Sequence, residues 1–137
     1  LDLLPNDFCY KAFKDKVLVV SQPEFRRSFA HVSDITDAIV HGVKNFDLMK
    51  NQTLNVGSAE GNWTKRQLCE FIKTKIPCSV YYDDSVYKDS DLRDYEISFE
   101  CINQTGWFPK VTMEEGLTQL IKALPLIHIQ SPYYQKI

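Results

Sequence analysis

The sequence predicts an α/β fold in which short strands alternate with helices. Val17-Leu18-Val19-Val20 is an unbroken apolar run of strand length, whereas stretches 33–46, 64–76 and 112–124 repeat apolar residues at helical spacing. Gly57, Pro77 and Gly106 punctuate the boundaries between these segments. No internal repeat is present. The strands are too few and too short for a self-sufficient parallel sheet, so the sheet is expected to be borrowed from elsewhere.

Taken in order, residues 6–14 read as a short helix with Phe8, Ala12 and Phe13 as its apolar positions. The run 17–20 suits a buried strand, and 27–32 (Arg-Ser-Phe-Ala-His-Val) is a second strand candidate. Ser33 is the expected cap of a helix whose Ile35, Ala38, Ile39, Val43 and Phe46 share one face. Residues 52–56 form another strand candidate, ending at Gly57. Thr64 opens a helix carrying Leu68, Phe71, Ile72 and Ile76, stopped by Pro77. Residues 79–82 are strand-like. Ser98 is expected to cap a short helix with Phe99 and Ile102, with Gly106 just past its end. Thr112-Met113-Glu114-Glu115 is a capping box, followed by the stripe Leu117, Leu120, Ile121 and Leu124. Residues 1–124 are read as one unit, and 125–137 as an irregular tail.

Composition narrows the function classes. The 137 residues, 44% hydrophobic and 25% charged, suit one globular domain. Sixteen Lys+Arg against eighteen Asp+Glu give a net charge of −2, which argues against a bulk nucleic-acid binder but not against a local anion site. No apolar run nears the ~20 residues of a membrane span, so no membrane partner is expected. Cys9, Cys69, Cys78 and Cys101 contain no C-x-x-C pair, and His31, His41 and His128 lack zinc-site spacing. Reduced, mostly buried thiols and a cytoplasmic setting are expected. The sequence opens at Leu1 rather than at a methionine, as expected of a piece of something longer.

A few constellations bear on chemistry. Arg26-Arg27 starts a strand candidate, and Arg93 lies in Asp91-Leu92-Arg93-Asp94-Tyr95. Two guanidinium forks from separate loops can grip one diphosphate; the plainer alternative is surface arginines paired with nearby aspartates. Asp83, Asp84, Asp89, Asp91 and Asp94 lack the glycine and distal glutamate of a calcium loop and read as a solvated loop. Tyr10 and Lys14 have the Y-x-x-x-K spacing of a phenol–ammonium acid/base pair, but an amphipathic helix with an exposed lysine explains them as well. Three N-x-T triplets, at Asn51, Asn62 and Asn103, read as accidental. No G-x-S-x-G, G-x-G-x-x-G or G-x-x-x-x-G-K motif is present, so neither a nucleophile elbow nor a dinucleotide cradle is expected.

Read together, five segments resemble, in family order, the C-terminal part of the NAD-dependent epimerase/dehydratase family, the extended short-chain dehydrogenase/reductases that act on nucleotide sugars. Arg27-Ser28-Phe29-Ala30-His31-Val32-Ser33-Asp34-Ile35 is similar to the family's R-x-F-x-H-V-x-D-[VI] signature. Leu54-Asn55-Val56-Gly57 resembles its N-V-G strand end, and Thr64-Lys65-Arg66-Gln67-Leu68 the helix that follows. Asp91 to Ser98 is similar to D-x-R-x-Y-x-V-S. Gly106-Trp107-Phe108-Pro109 and Thr112 to Leu117 resemble G-[WF]-x-P and its T-x-E-E-G-[LI] helix, so the likeness spans about residues 4–124.

The resemblance implies the C-terminal portion of an extended Rossmann-type fold that binds a nucleotide-diphosphate sugar. It implies that Arg27 and Arg93 contact the diphosphate and that the strand around Val19 lies beside the base. It implies NAD(P) and the catalytic Tyr/Lys in an N-terminal Rossmann half, a partner absent from this sequence. Tyr10 and Lys14 fall after the place where the family puts its catalytic pair. This portion alone is expected to be inactive, whether its parent is an epimerase (isomerase) or a dehydratase (lyase). The alternative is a non-catalytic binding or assembly module derived from such an enzyme, with a homodimer as one way to cover its open sheet. Ser21 and Pro23 stand where the family often has glycines, and Cys101 where it usually has lysine.

Overall fold

The computed structural model describes residues 3–85 and 94–127. Helix α1 (Leu4–Asp15) starts two residues earlier than its apolar pattern suggests, because Pro5 occupies a first-turn position where its missing N–H costs nothing. It ends at Lys16 in the left-handed conformation and turns directly into β1 (Val17–Val20). β1 pairs in parallel with β4 (Ser79–Tyr82), with Val17 opposite Ser79 and Val20 opposite Tyr82. Between them lie β2 (Arg26–Ser28), α2 (Val32–Lys44), α3 (Phe46–Met49), β3 (Asn62–Thr64) and α4 (Lys65–Lys75). β2 and β3 form a separate antiparallel pair. The short helix α5 (Glu100–Asn103) and helix α6 (Met113–Ala123) complete the elements.

Two apolar cores hold these parts together. In the larger, Phe8, Cys9 and Ala12 of α1 meet Leu18 and Val20 of β1, Leu68, Cys69, Ile72 and Ile76 of α4, and Leu117 of α6. Helices α4 and α6 are placed by complete capping boxes, Thr64 with Gln67 and Thr112 with Glu115. The smaller core joins Ala38 of α2 to Phe99, Ile102 and Trp107, with Leu54, Val56 and Ile97 against it. Gly106, at φ +85°, turns the chain after α5 as its position suggests.

Several expectations are corrected. The strand 17–20 is one-sided: Leu18 and Val20 are buried, whereas Val17 and Val19 face outward, because α1 and α4 cover a single face. The second strand stops at Ser28 instead of reaching Val32; beyond it, the Phe29 N–H donates to Gly61 O. Its partner β3, Asn-Trp-Thr, carries no apolar alternation and was invisible to pattern reading. Residues 52–56 form no strand and pair with none among the described residues, so strand propensity there lacks a neighbour. His31, not Ser33, caps α2, its Nδ1 accepting from the Ser33 N–H. On the expected inner face of α2 only Ala38 is buried; Ile39, Val43 and Phe46 are 64%, 73% and 65% exposed. The cap of α5 is Phe99, with Ser98 Oγ a distant acceptor at 3.4 Å from Glu100 N. The thiols are all unbridged, yet only Cys9 and Cys69 are buried, and Cys101 is exposed. Within the tail, Leu124–Leu126 forms a 3₁₀ turn, and residues 128–137, His128 included, lie outside the described residues.

Candidate functional site

A cleft of about 1290 Å³ opens between α1, the outward face of β1, β2 with the loop that follows it, and the length of α6. Side chains alternate across a strand, and that separates the two adjacent arginines. Arg27 lines the cleft, its guanidinium Nη1 donating to Arg26 O at 2.8 Å and its Cζ lying 5.7 Å from the Tyr95 ring centre. Arg26 lies outside the cleft lining, its guanidinium 3.4 Å from Glu96 and its backbone N–H donating to Asp94 Oδ1 at 2.8 Å. Val19, 53% exposed, lies on the β1 wall of the same cleft. Arg93 is outside the described residues, but Asp94 and Tyr95, which follow it, contact Arg26 and Arg27.

Aspartates in the Arg27–Ile35 segment and just beyond it turn out to be structural. Asp34, 3% exposed, accepts from the Lys110 and Val111 backbone N–H groups, both at 3.1 Å. Asp37 accepts from Trp107 Nε1 at 3.0 Å and from Lys110 Nζ at 3.1 Å. The Lys110 ammonium, helped by the Trp107 indole, holds the Asp37 carboxyl below the ordinary aspartate range. Together they bolt the 106–111 loop to α2 and so fix where α6 begins. Sequence reasoning missed this role. The available signal was two carboxylates three residues apart on one face of a helix.

Other residues singled out from sequence go elsewhere. Lys14 Nζ sits 5.6 Å from the Tyr10 ring centre, and neither residue lines the cleft; Tyr10 packs on the larger core. The acidic stretch is more than a solvated loop, since Asp84 Oδ1 accepts from Gln22 N at 2.6 Å and Asp83 Oδ1 accepts from Ser85. Asp89 and Asp91 are outside the described residues. Asn62, within an N-x-T triplet, exchanges hydrogen bonds with both backbone groups of Ile97. A Cβ on Gly57 would meet the Phe99 ring at 2.7 Å, and one on Gly61 would meet Phe29 O at 2.4 Å, so both glycines allow close packing within the chain.

Curated relatives of this chain are nucleotide-sugar enzymes. It is 30% identical over 115 residues to UDP-glucuronic acid decarboxylase 3 of Arabidopsis thaliana, covering 82% of this chain and 32% of the relative. It is 28% identical over 109 residues to GDP-L-colitose synthase of Yersinia pseudotuberculosis, covering 77% and 34%. Its fold superposes on UDP-glucose 4-epimerase from Thermotoga maritima, solved with UDP-glucose, at TM-score 0.72, 21% identity, 90% of this chain and 40% of that one. Over most of its length the chain is similar to a C-terminal region of NAD-dependent epimerase/dehydratase enzymes. No protein-family profile matches it. The architecture is that of a Rossmann-type short-chain dehydrogenase/reductase, and the chain also superposes on RMD from Pseudomonas aeruginosa, solved with NADPH (TM-score 0.68, 15% identity, 91% and 43% covered). The chain spans about a third of the length of the curated relatives it matches.

Proposed function

We propose that this chain is the nucleotide-sugar-binding portion of an epimerase or dehydratase, holding the substrate diphosphate through Arg27 and Arg93. The observation that carries the proposal is the position of Arg27: a guanidinium in the wall of a cleft large enough for a nucleotide sugar, facing the open side of β1 and steadied by the Tyr95 ring. Tyr95 lies beside the fork, its ring centre 5.7 Å from Cζ, and a planar fork can meet two phosphate oxygens at once. NAD(P) belongs, in this proposal, to the rest of the enzyme, and no step of its chemistry is assigned to residues of this chain.

The N-terminal Rossmann half is the proposed partner. Two open surfaces support it. Ile35, Ile39, Val43 and Phe46 leave an apolar stripe on α2 and just beyond it, and residues 52–56 have no strand neighbour among the described residues. Relatives more than twice as long have the chain length to supply a sheet edge against both.

The test is Arg27→Ala and Arg93→Ala in the intact enzyme. Loss of one charge-assisted contact is worth about 1.5–3 kcal/mol, or roughly 10- to 150-fold in KM for the sugar nucleotide, with KM for NAD(P) unchanged. An unchanged sugar-nucleotide KM in both variants would overturn the assignment. Nucleotide-sugar binding without turnover by the natural full-length protein would instead favour the non-catalytic module.

A further inference from the structure

We propose that Lys65 is a positioning residue that locks the loop between β1 and β2, and through it the nucleotide side of the cleft; this rests on the cleft being the nucleotide-sugar site. Lys65 is the first residue of α4 and is 4% exposed, a rare setting for an ammonium. Its Nζ donates to Ser21 O at 3.2 Å, at the point where β1 leaves its sheet. Its own N–H donates to Phe25 O at 3.2 Å, and the Arg66 N–H donates to Pro23 O at 2.9 Å. Two free N–H groups of the helix start, those of Lys65 and Arg66, are thus spent on carbonyls of this one loop, while that of Gln67 goes to the Thr64 hydroxyl.

The remaining contacts tighten the same loop. Arg66 Nε pairs with Glu24 at 2.7 Å, Gln22 N donates to Asp84 Oδ1 at 2.6 Å, and Phe25 N donates to Gln22 O at 3.1 Å. Gln22 holds φ +50°, a conformation glycine adopts more readily. The loop that carries Ser21 and Pro23 is therefore held in shape from α4, by a residue that also lines the cleft. The loop joins the Val19–Val20 wall to Arg27, so its shape sets the distance between the base side and the diphosphate side.

The experiment compares Lys65→Met, which keeps the apolar stem and removes the ammonium, with the wild-type chain by amide hydrogen exchange and by NMR titration with UDP and with GDP. Exchange at residues 21–25 is expected to rise at least tenfold while α1 and α6 stay protected, and affinity for the nucleoside diphosphate is expected to fall about tenfold. Lys65→Arg, which retains a donor, should restore most of both. Unchanged exchange at 21–25 overturns the clamp, and a loosened loop with unchanged affinity overturns the positioning role. A wild-type chain that binds neither nucleotide overturns the binding role on which the positioning rests, while exchange still decides the clamp. Should Lys65→Met fail to fold, Glu24→Ala at the exposed end of the clamp gives the same readouts with about threefold changes, and no change there refutes the proposal.

Discussion

Replacing Asp34 by alanine tests whether the aspartate of the Arg27–Ile35 segment is an internal bracket rather than a ligand contact. Its carboxylate is almost wholly buried and accepts two backbone N–H groups at 3.1 Å, from Lys110 and Val111. A hydrogen bond to a charged group contributes about 1.5–3 kcal/mol, and Val111 is half-buried but Lys110 exposed, so the Val111 bond is counted in full and the Lys110 bond at the low end. The expected loss is about 3–5 kcal/mol, or roughly 10–15 °C in Tm for a chain of this size. Asp34→Asn keeps one carbonyl oxygen as acceptor and should lose about half of that. Urea unfolding followed by tryptophan fluorescence is the assay, since Trp107 sits in the bracketed segment and reports its release. A loss below about 1 kcal/mol for Asp34→Ala would refute the bracket, because ordinary surface changes fall in that range.

The other expectations concern packing, titration and exposure. Gly57→Ala would drive a Cβ to 2.7 Å from the Phe99 ring at a backbone φ of +153° and should destabilise by about 1–3 kcal/mol in thermal melts, with Phe99→Leu in the same chain relieving the clash but not the backbone strain. Because the Asp37 carboxyl is held below its ordinary 3.8, its contribution is present above that value and fades as the pH falls through the lower folded-state value. Tm should therefore drop in acid, and less so for Asp37→Asn, in a pH series of melts. Cys101 should react fastest with a thiol reagent, whereas Cys9 and Cys69, pushed up to about 12 by burial, should react only on unfolding. Ile39→Glu with Val43→Glu should cut hydrophobic-dye binding and self-association of the chain with stability changed by no more than about 0.5 kcal/mol per site; a large loss of stability would show that α2 already packs there.

Local chemistry alone determined much of this protein. The capping boxes at Thr64 and Thr112, the turn at Gly106 and the strands 17–20 and 79–82 follow from neighbours a few residues apart, and so were legible. The ordered motifs were likewise enough to indicate the family. Only the tertiary structure decided which faces those elements bury. The stripe on α2 has the period of a core face yet lies open, since amphipathicity records that a face needs a partner but not that the partner is in the same chain. Residues 52–56 have strand-like sequence and no strand beside them among the described residues, because pairing is a property of two segments. Arg26 and Arg27 are equivalent as letters. Strand alternation sends one toward Glu96 and the other to the cleft beside Tyr95, and the buried ammonium of Lys65 finds its carbonyl 44 residues away. Contacts between residues so distant in sequence depend on how the whole chain closes, which no local pattern encodes.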